Sequence, residues 1–561
     1  MLMDGWQAVV KILKEECVEH VFGLPTTHLM TPYLEDAKIK PIQVRHEASA
    51  VFMAMAYSRL RGSPSVVYAS PGPGVANMVP GMLEAYSSCL PIIATCPSTS
   101  TKTEGMGAFQ ELDQVSLFKP VTKWSSRVLC PERIPWFMHR AFTLAINGKP
   151  GPVFIDFPSD VVKSNVEDFS YKRSRKVLAR PDIELIKEAA NLIISSERPI
   201  VVAGGGAVLS RAFEEFRRFV EFFGIPFLTT PAGRGVLSEE HPLALGLVGL
   251  YRTDVGKKVF EDADLLINVG SRFEEFQSGA WKYFPQNAKY IQIDIDYFEM
   301  DRNWTPDLFI LGDARLTLEE IIEYATLKLE AHNMARSSRV DDIVRAKREF
   351  EAAVEAECLD DSVPIKTKRV VKEMNRIFGK ETILVNENGM QDLWSYYFPY
   401  YKVYDVLGCV PPAEQTCMGF GVVGAIGAKI AMPHMKVICT SGDGAFQMYS
   451  QDVPTAVQYN APVTWAIFDN FSYGWPKWIQ KKLFGKSTAT DFIVQPDFVK
   501  FAEANKCYGE KIDRPENVKS ALERALKSNL EGVPAVLDFI IDPEDCPKCF
   551  KEFYREVYGI R

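Results

Sequence analysis

A single stretch, residues 438–474 (ICTSGDGAFQMYSQDVPTAVQYNAPVTWAIFDNFSYG), constrains this chain more than any other. The β-rich run Val437–Thr440 breaks into Gly442-Asp443-Gly444, a helical pattern follows to about Tyr459, and a second apolar run, Val463–Phe468, delivers Asp469-Asn470. Strand, glycine turn, helix and strand make a crossover unit that brings the carboxyl ends of two parallel strands to one sheet edge, where ligands bind. Asp443 and Asn470 can then stand side by side. They offer a carboxylate and an amide oxygen to a hard divalent cation such as Mg²⁺, which takes oxygen ligands and shares them with phosphate. The glycines let backbone N–H groups approach a diphosphate at a helix start. Gly-Asp-Gly alone serves equally as a tight turn; the strand-helix-strand context and the second oxygen ligand point to a cation and a phosphate.

The remainder of the chain is ample for such a unit. With 561 residues, 47% of them hydrophobic, it has length for about three to four domains with their own cores. A formal net charge of −8, with no Lys/Arg run, gives no basic surplus with which to neutralise a phosphate backbone, so nucleic acid is not an expected partner. No apolar run reaches the roughly 18 residues of a membrane span, and the N-terminus reads as an amphipathic helix rather than a signal peptide. No membrane partner and a cytoplasmic location are therefore expected. The eleven scattered cysteines read as reduced thiols, mostly in cores. Cys546-Pro547-Lys548-Cys549 is a close pair that reads as a solvent-side turn or half of a zinc site.

Strand and helix patterns alternate along most of the chain. Residues 1–175 carry buried-type strands at Val18–Phe22, Ser65–Ala69, Ile92–Thr95 and Val153–Phe157; residues 185–330 carry them at Ile200–Ala203, Leu265–Val269 and Tyr290–Ile293, with Gly204-Gly205-Gly206 after the first. A charge-rich, mostly helical connector over 327–361 leads to a third stretch, 363–545, which holds the organising unit, and a tail over 546–561. The expected fold is α/β, with three doubly wound parallel-sheet domains.

The 438–474 stretch resembles the thiamine diphosphate binding motif, which opens with Gly-Asp-Gly and closes with an Asn-containing loop. The surrounding wording is similar to the acetohydroxyacid synthase (acetolactate synthase) family over almost the whole chain, the tail after about Asp545 excepted. The resemblance implies a pyrimidine-binding first domain, a middle domain and a diphosphate-binding third. In it, Asp443, Asn470 and the backbone carbonyl of Ser472 hold Mg²⁺, and Gly442, Gly444 and Ala445 lie along the diphosphate. Asn388-Gly389-Met390-Gln391, after the strand Thr382–Val385, resembles the second diphosphate contact, so Gly389 and Gln391 join the cofactor set, with Gln391 where a His is usual. Cys417-Met418-Gly419-Phe420-Gly421 resembles Thr-Met-Gly-Phe-Gly. Met418 then wedges the cofactor into its bent shape, although as a residue it equally suits a core, and Thr416 replaces a glycine.

On the pyrimidine side the family uses a glutamate, supplied by a partner subunit, that hydrogen-bonds the ring and favours the imino tautomer whose nitrogen is the internal base. Burial favours the protonated, donating form of a carboxyl. Glu47, in Val44-Arg45-His46-Glu47-Ala48-Ser49-Ala50, fits this role; as an acid at a helix start it also fits a simple dipole partner. Pro25 and Gly72, the latter in Ser70-Pro71-Gly72-Pro73-Gly74-Val75-Ala76-Asn77, match backbone that lies close to the cofactor. Phe109-Gln110 match the substrate loop, where a pyruvate decarboxylase type carries a His pair; Gln110 alone reads as a polar loop residue.

By the resemblance the chain decarboxylates a 2-oxo acid such as pyruvate and joins the resulting enamine to an acceptor, as a homodimer or homotetramer. Pro25-Thr26-Thr27-His28, where the family has Pro-Gly-Gly, is more similar to the 2-hydroxyacyl-CoA lyases and oxalyl-CoA decarboxylases, the enzymatic alternative. His28 is a substrate contact or a surface histidine. A sulfoacetaldehyde acetyltransferase-like activity, or a binding subunit without catalysis, are further alternatives. The middle domain of the family binds a structural FAD, and Gly204-Gly205-Gly206, Thr229-Thr230, Gly246–Thr253, Ser271–Glu275 and Ile293–Asp296 fall at those contacts. Two departures, Leu250-Tyr251-Arg252 for Met-His-Gly and Glu274-Glu275-Phe276 for Asp-Asp-Arg, leave FAD, an ADP or CoA moiety, or nothing as the occupant. Trp475-Pro476-Lys477-Trp478 departs from the family wording of the closing region, and the tail reads as a lid or a packed helix.

Overall fold

A computed structural model describes residues 2–25, 30–329 and 337–560. Three six-stranded sheets carry the fold, and every pairing within them is parallel. The first contains β1 (His20–Gly23), β2 (Lys40–Gln43), β3 (Ser65–Tyr68), β4 (Ile92–Ser98), β5 (Trp124–Arg127) and β6 (Val153–Pro158) in the order β2-β1-β3-β4-β6-β5. The second contains β7 (Pro199–Ala203), β8 (Phe227–Thr229), β9 (Ala244–Leu247), β10 (Leu265–Val269), β11 (Lys289–Asp294) and β12 (Leu308–Leu311) in the order β9-β8-β7-β10-β11-β12. The third contains β13 (Thr382–Val385), β14 (Cys409–Val410), β15 (Lys436–Gly442), β16 (Thr464–Asp469), β17 (Tyr508–Ile512) and β18 (Ala535–Ile540) in the order β14-β13-β15-β16-β18-β17. The expected class, α/β with three doubly wound parallel sheets, is the one observed.

These orders fix where ligands can bind. In an open parallel sheet the crevice lies beyond the strand carboxyl ends where the winding direction reverses. That point falls between β1 and β3 in the first sheet, β7 and β10 in the second, and β13 and β15 in the third. Gly442-Asp443-Gly444 and Asn388–Gln391 therefore leave the two strands that flank the reversal of the third sheet.

The described chain divides into two compact units. One holds the chain up to Val177 with Pro412–His434 and Gln447–Ala461; the other holds Leu178–Pro411, Met435–Phe446 and Pro462 onward. In the first unit, the helix Glu47–Arg61 is almost wholly buried, and its middle two turns, residues 50–56, are apolar on every side. A helical stretch without a polar face must be covered all round. The sheet covers one side and the helix Phe420–Ala431 another, with Gly427 so close that a Cβ there would stand 2.1 Å from the Met53 carbonyl oxygen. The N-terminal helix, Gly5–Glu15, starts with a capping box between Asp4 and Gln7, and Leu2–Asp4 before it pair antiparallel with Asn165–Glu167. In the second unit the connector is helical over Ala314–Leu329 and Ser337–Glu357, while residues 330–336 lie outside the described chain. Among the described residues, no helix is long and apolar enough to cross a membrane.

Candidate active site

In the second unit, β15 ends at Gly442 and a helix begins at Asp443; β16, its neighbour, ends at Asp469. The helical pattern expected to reach Tyr459 is broken into Asp443–Tyr449, a 3₁₀ turn at Ser450–Asp452, and Val453–Gln458, whose Pro454 stands in its first turn. A proline is tolerated there because the first N–H groups of a helix have no partner in it. Asp443 is buried; its Oδ1 accepts from the Gly444 N–H at 3.0 Å and its Oδ2 from the Gln495 side chain at 2.8 Å. The same Gln495 amide donates to Asp469 Oδ1 at 2.9 Å. Asn470 is also buried, and its Oδ1 accepts from the Ser472 N–H at 3.0 Å, an Asx turn that fixes Ser472 beneath it. A Cβ on Gly474 would stand 2.7 Å from Gln391 Oε1 and 2.8 Å from Asn470 Nδ2, so Gln391 and Asn470 converge on that glycine.

The glycines of the motif divide by task. At Gly444 a Cβ would stand 2.6 Å from the Tyr473 ring, so this glycine serves close packing beside buried Ala445. Before Gly442 there is open space, and at Gly389 the first neighbour of a Cβ would be 3.9 Å away. Next to Gly389 in the chain, the Asn388 Nδ2 is buried without a hydrogen-bond partner. A buried orphan donor is rare in folded proteins, and an anion of phosphate type would satisfy it.

Buried carboxyls at this sheet are held towards their neutral form. Burial, and next the charge of Asp469, push the Asp443 carboxyl up to about 8; burial and then Asp469 push Asp538 up to about 7. Burial also drives Asp392 well above the carboxylate range. Buried carboxyls with a like-charged neighbour resist ionisation, and a divalent cation on the Asp443 oxygens would relieve that cost. Asp443 and Asn470 each offer an oxygen donor, the type that Mg²⁺ takes.

The first unit holds the other candidates. Glu47 is buried at the first position of its helix, where His46 caps the end by accepting from the Ala48 N–H at 3.2 Å. Its Oε2 accepts from Asn77 Nδ2 at 3.0 Å, and a Cβ on Gly74 would lie 3.0 Å from its Oε1. The glycine-proline loop thus closes on the carboxyl, which is the physical need for Gly74. Gly72 has φ +63 and lies against Gln110, whose carbonyl oxygen would be 2.8 Å from a Cβ there; Gln110 itself has φ +60. The Gly72 N–H donates to Gln114 Oε1 at 2.9 Å, and Gln114 in turn donates to Asp156 at 2.8 Å, a buried chain that ties both loops to β6. Phe109 projects, 87% exposed. Pro25 is exposed, and Thr26, Thr27 and His28 lie outside the described residues.

Met418 is half-buried in the same unit and precedes Gly419, which has φ +87 and caps the helix Phe420–Ala431. The segment before it is held by a residue that the sequence reading passed over. Glu84, completely buried, accepts from the Ala413 N–H at 2.6 Å and the Cys417 N–H at 2.8 Å. Thr416 between them has φ +47, a conformation disfavoured without glycine. Glu84→Ala is expected to lower stability, because each buried N–H left unpartnered costs about 1–3 kcal/mol. Urea denaturation checks this: the midpoint falls for Glu84→Ala and falls less for Glu84→Gln, which keeps one acceptor.

Gln495 is a second residue that the sequence reading passed over, while Asn77 and Asn388 stand inside the quoted motifs without a role of their own. Glu84 had a readable signal, a lone acid inside the apolar helix Val79–Ser87; Gln495 had none, since it reaches Asp443 across 52 positions from a loop. Cys546 and Cys549 are buried with the tail helix, so the pair is not a solvent-side turn, and no group of three or more His, Cys, Asp or Glu among the described residues is arranged to hold a metal.

Comparison with known families matches residues 3–117 to the N-terminal TPP binding domain of thiamine pyrophosphate enzymes, 186–321 to their central domain, and 388–539 to their C-terminal TPP binding domain. Thiamine pyrophosphate is thiamine diphosphate. A probable acetolactate synthase large subunit of Methanococcus aeolicus is 36% identical, over 96% of this chain and 92% of its own length. The acetolactate synthase large subunit of Cyanidium caldarium is 31% identical, over 97% and 94%. The acetolactate synthase isozyme 3 large subunit of Escherichia coli is 30% identical, over 96% and 95%.

Proposed function

Because this chain belongs to the thiamine pyrophosphate enzyme family, we propose that it is an acetolactate synthase-like carboligase that decarboxylates a 2-oxo acid, pyruvate, and joins the two-carbon fragment to an acceptor. When bound, thiamine diphosphate supplies the carbon nucleophile and the electron sink for the decarboxylation. The residues do the rest. Asp443, Asn470 and the Ser472 carbonyl hold Mg²⁺. Gly442 leaves room for the diphosphate, and the orphan Asn388 amide, with Gly389 and Gln391, binds it from the other flanking strand. Ala445 lies in the first turn behind the Gly-Asp-Gly loop.

Glu47 carries the proton relay. A carboxyl buried at a helix start, gripped by Asn77 and walled by Gly74, is held in one orientation and donates to the pyrimidine ring. Met418 shapes the cofactor from the loop that Glu84 secures, and Pro25 and Gly72 approach it through backbone. Gln110 and Phe109 face the substrate; with no His pair at that place, the fragment is passed to an acceptor rather than released as aldehyde. The active form is a homodimer or homotetramer.

The observation that carries this reading is the presence of a buried Glu47 carboxyl in the first unit, and of buried Asp443 and Asn470 in the second, in a chain that aligns with a probable acetolactate synthase large subunit over nearly its whole length. The test is turnover of pyruvate with thiamine diphosphate and Mg²⁺, with the product identified. 2-Acetolactate is expected, and chelation of Mg²⁺ abolishes its formation. Turnover of a 2-hydroxyacyl-CoA or oxalyl-CoA in place of pyruvate would favour the lyase alternative suggested by Pro25-Thr26-Thr27.

A further inference from the structure

The flavin of the acetohydroxyacid synthase family does not fit the residues of this chain. Among the segments where the family contacts it, Leu250-Tyr251-Arg252 and Glu274-Glu275-Phe276 are held by the chain's own C-terminal helix, Lys548–Tyr558. Arg252, standing where glycine would make room, lies over the Tyr283 ring at 3.8 Å and pairs with Glu556. Glu556 also accepts from Lys257 at 3.2 Å and from the Tyr283 hydroxyl at 3.0 Å. Lys282 donates to the Val557 carbonyl, and Tyr558 donates to Glu275. Arg252, Lys257, Lys282 and the Tyr283 hydroxyl, groups that could receive a nucleotide phosphate, are thus partnered with the tail, and Arg272 is paired with Glu274 at 3.0 Å.

The apolar side agrees. Phe276, where the family has arginine, sits 5.8 Å from the rings of both Trp475 and Phe553. Phe550, Phe553 and Tyr554 form one buried cluster with Leu250, Tyr251 and Trp478. The glycines open no cradle: a Cβ on Gly204 would stand 2.2 Å from the Gly270 carbonyl oxygen, and one on Gly249 2.0 Å from that of Phe276. They serve close backbone packing at the β7/β10 reversal and under the tail. A cavity beside Arg252, Lys257 and Tyr283 holds about 90 Å³, against the roughly 300–1,000 Å³ of cofactor pockets.

We propose that the Lys548–Tyr558 helix takes the structural place of the flavin, so that this enzyme closes its middle sheet with its own C-terminus and works without FAD. The inference draws on the family reading for where a flavin would lie, but its main readouts do not require turnover. The full-length protein, purified with thiamine diphosphate and Mg²⁺ from riboflavin-fed cells, is denatured and its released flavin measured by fluorescence. Flavin well below one per chain is expected, and FAD added to the holoenzyme leaves the melting temperature unchanged. Glu556→Gln and Phe553→Ala are each expected to lower the melting temperature, the first through the Arg252 and Lys257 pairs, the second through the aromatic cluster; the conservative first variant guards against a misfolded second. Stoichiometric flavin, a rise in melting temperature or turnover on adding FAD, or both variants melting like the parent would overturn the inference. Failure to turn over pyruvate would count against the proposed reaction and leave the flavin content to decide this point.

Discussion

Glu47→Gln is expected to lower turnover by about 10²–10⁴-fold, the range that a positioned proton-transfer group contributes, while leaving cofactor binding and folding intact. The replacement is close to isosteric. The Gln carbonyl oxygen can still accept from Asn77, and the helix start keeps its His46 cap, so the buried position neither empties nor loses its hydrogen bond. What disappears is the acidic proton and the ability to exchange it. In free-energy terms the loss is about 3–5 kcal/mol of barrier lowering. The measurements are the steady-state rate with pyruvate and the quenching of tryptophan fluorescence by thiamine diphosphate. A depressed rate with unchanged binding and melting temperature is the expected pattern; an unchanged rate would remove Glu47 from the mechanism.

Asp443→Asn is expected to abolish Mg²⁺-dependent retention of thiamine diphosphate, with an affinity loss beyond the roughly 10–100-fold that changes outside the ligand shell cause. An amide presents a neutral oxygen where the cation needs a carboxylate. The cation-free protein loses little by the exchange. Burial and the adjacent Asp469 already disfavour the charged form of Asp443, and the single Asn oxygen keeps one of the two bonds that Asp443 accepts, from the Gly444 N–H or from Gln495. A small drop in melting temperature without cofactor, with stabilisation by Mg²⁺ and thiamine diphosphate confined to the parent protein, is the result to look for in a thermal shift titration. Equal stabilisation of both would displace Asp443 from the ligand set.

The places of these two residues in the fold, each buried at a helix start, were legible in the sequence for a physical reason. Gly-Asp-Gly between two apolar runs, and a carboxyl at the start of an Ala- and Met-rich helix, are local patterns whose geometry follows from strand-turn-helix connectivity. The strands read most easily were the long apolar runs, such as Leu265–Val269 and Val153–Pro158, covered on both faces. Short or polar strands escaped: Cys409–Val410 has two residues, and Trp124–Arg127 reads WSSR without alternation. Partnerships between distant segments escaped for a different reason. Glu84 with the Ala413–Cys417 loop, Gln495 with Asp443, and Arg252 with Glu556 are set by tertiary packing, on which no local period depends. The cysteine pair of the tail misled because its spacing suits a metal or a turn, whereas the aromatic residues that follow it draw both thiols inward.

The most direct test of the account is release of CO₂ from pyruvate by the purified protein, measured with and without thiamine diphosphate and Mg²⁺. The account predicts release that requires both and is lost in Glu47→Gln and Asp443→Asn. No release from pyruvate by protein that demonstrably binds thiamine diphosphate would contradict it, and would turn attention to an acyl-CoA donor.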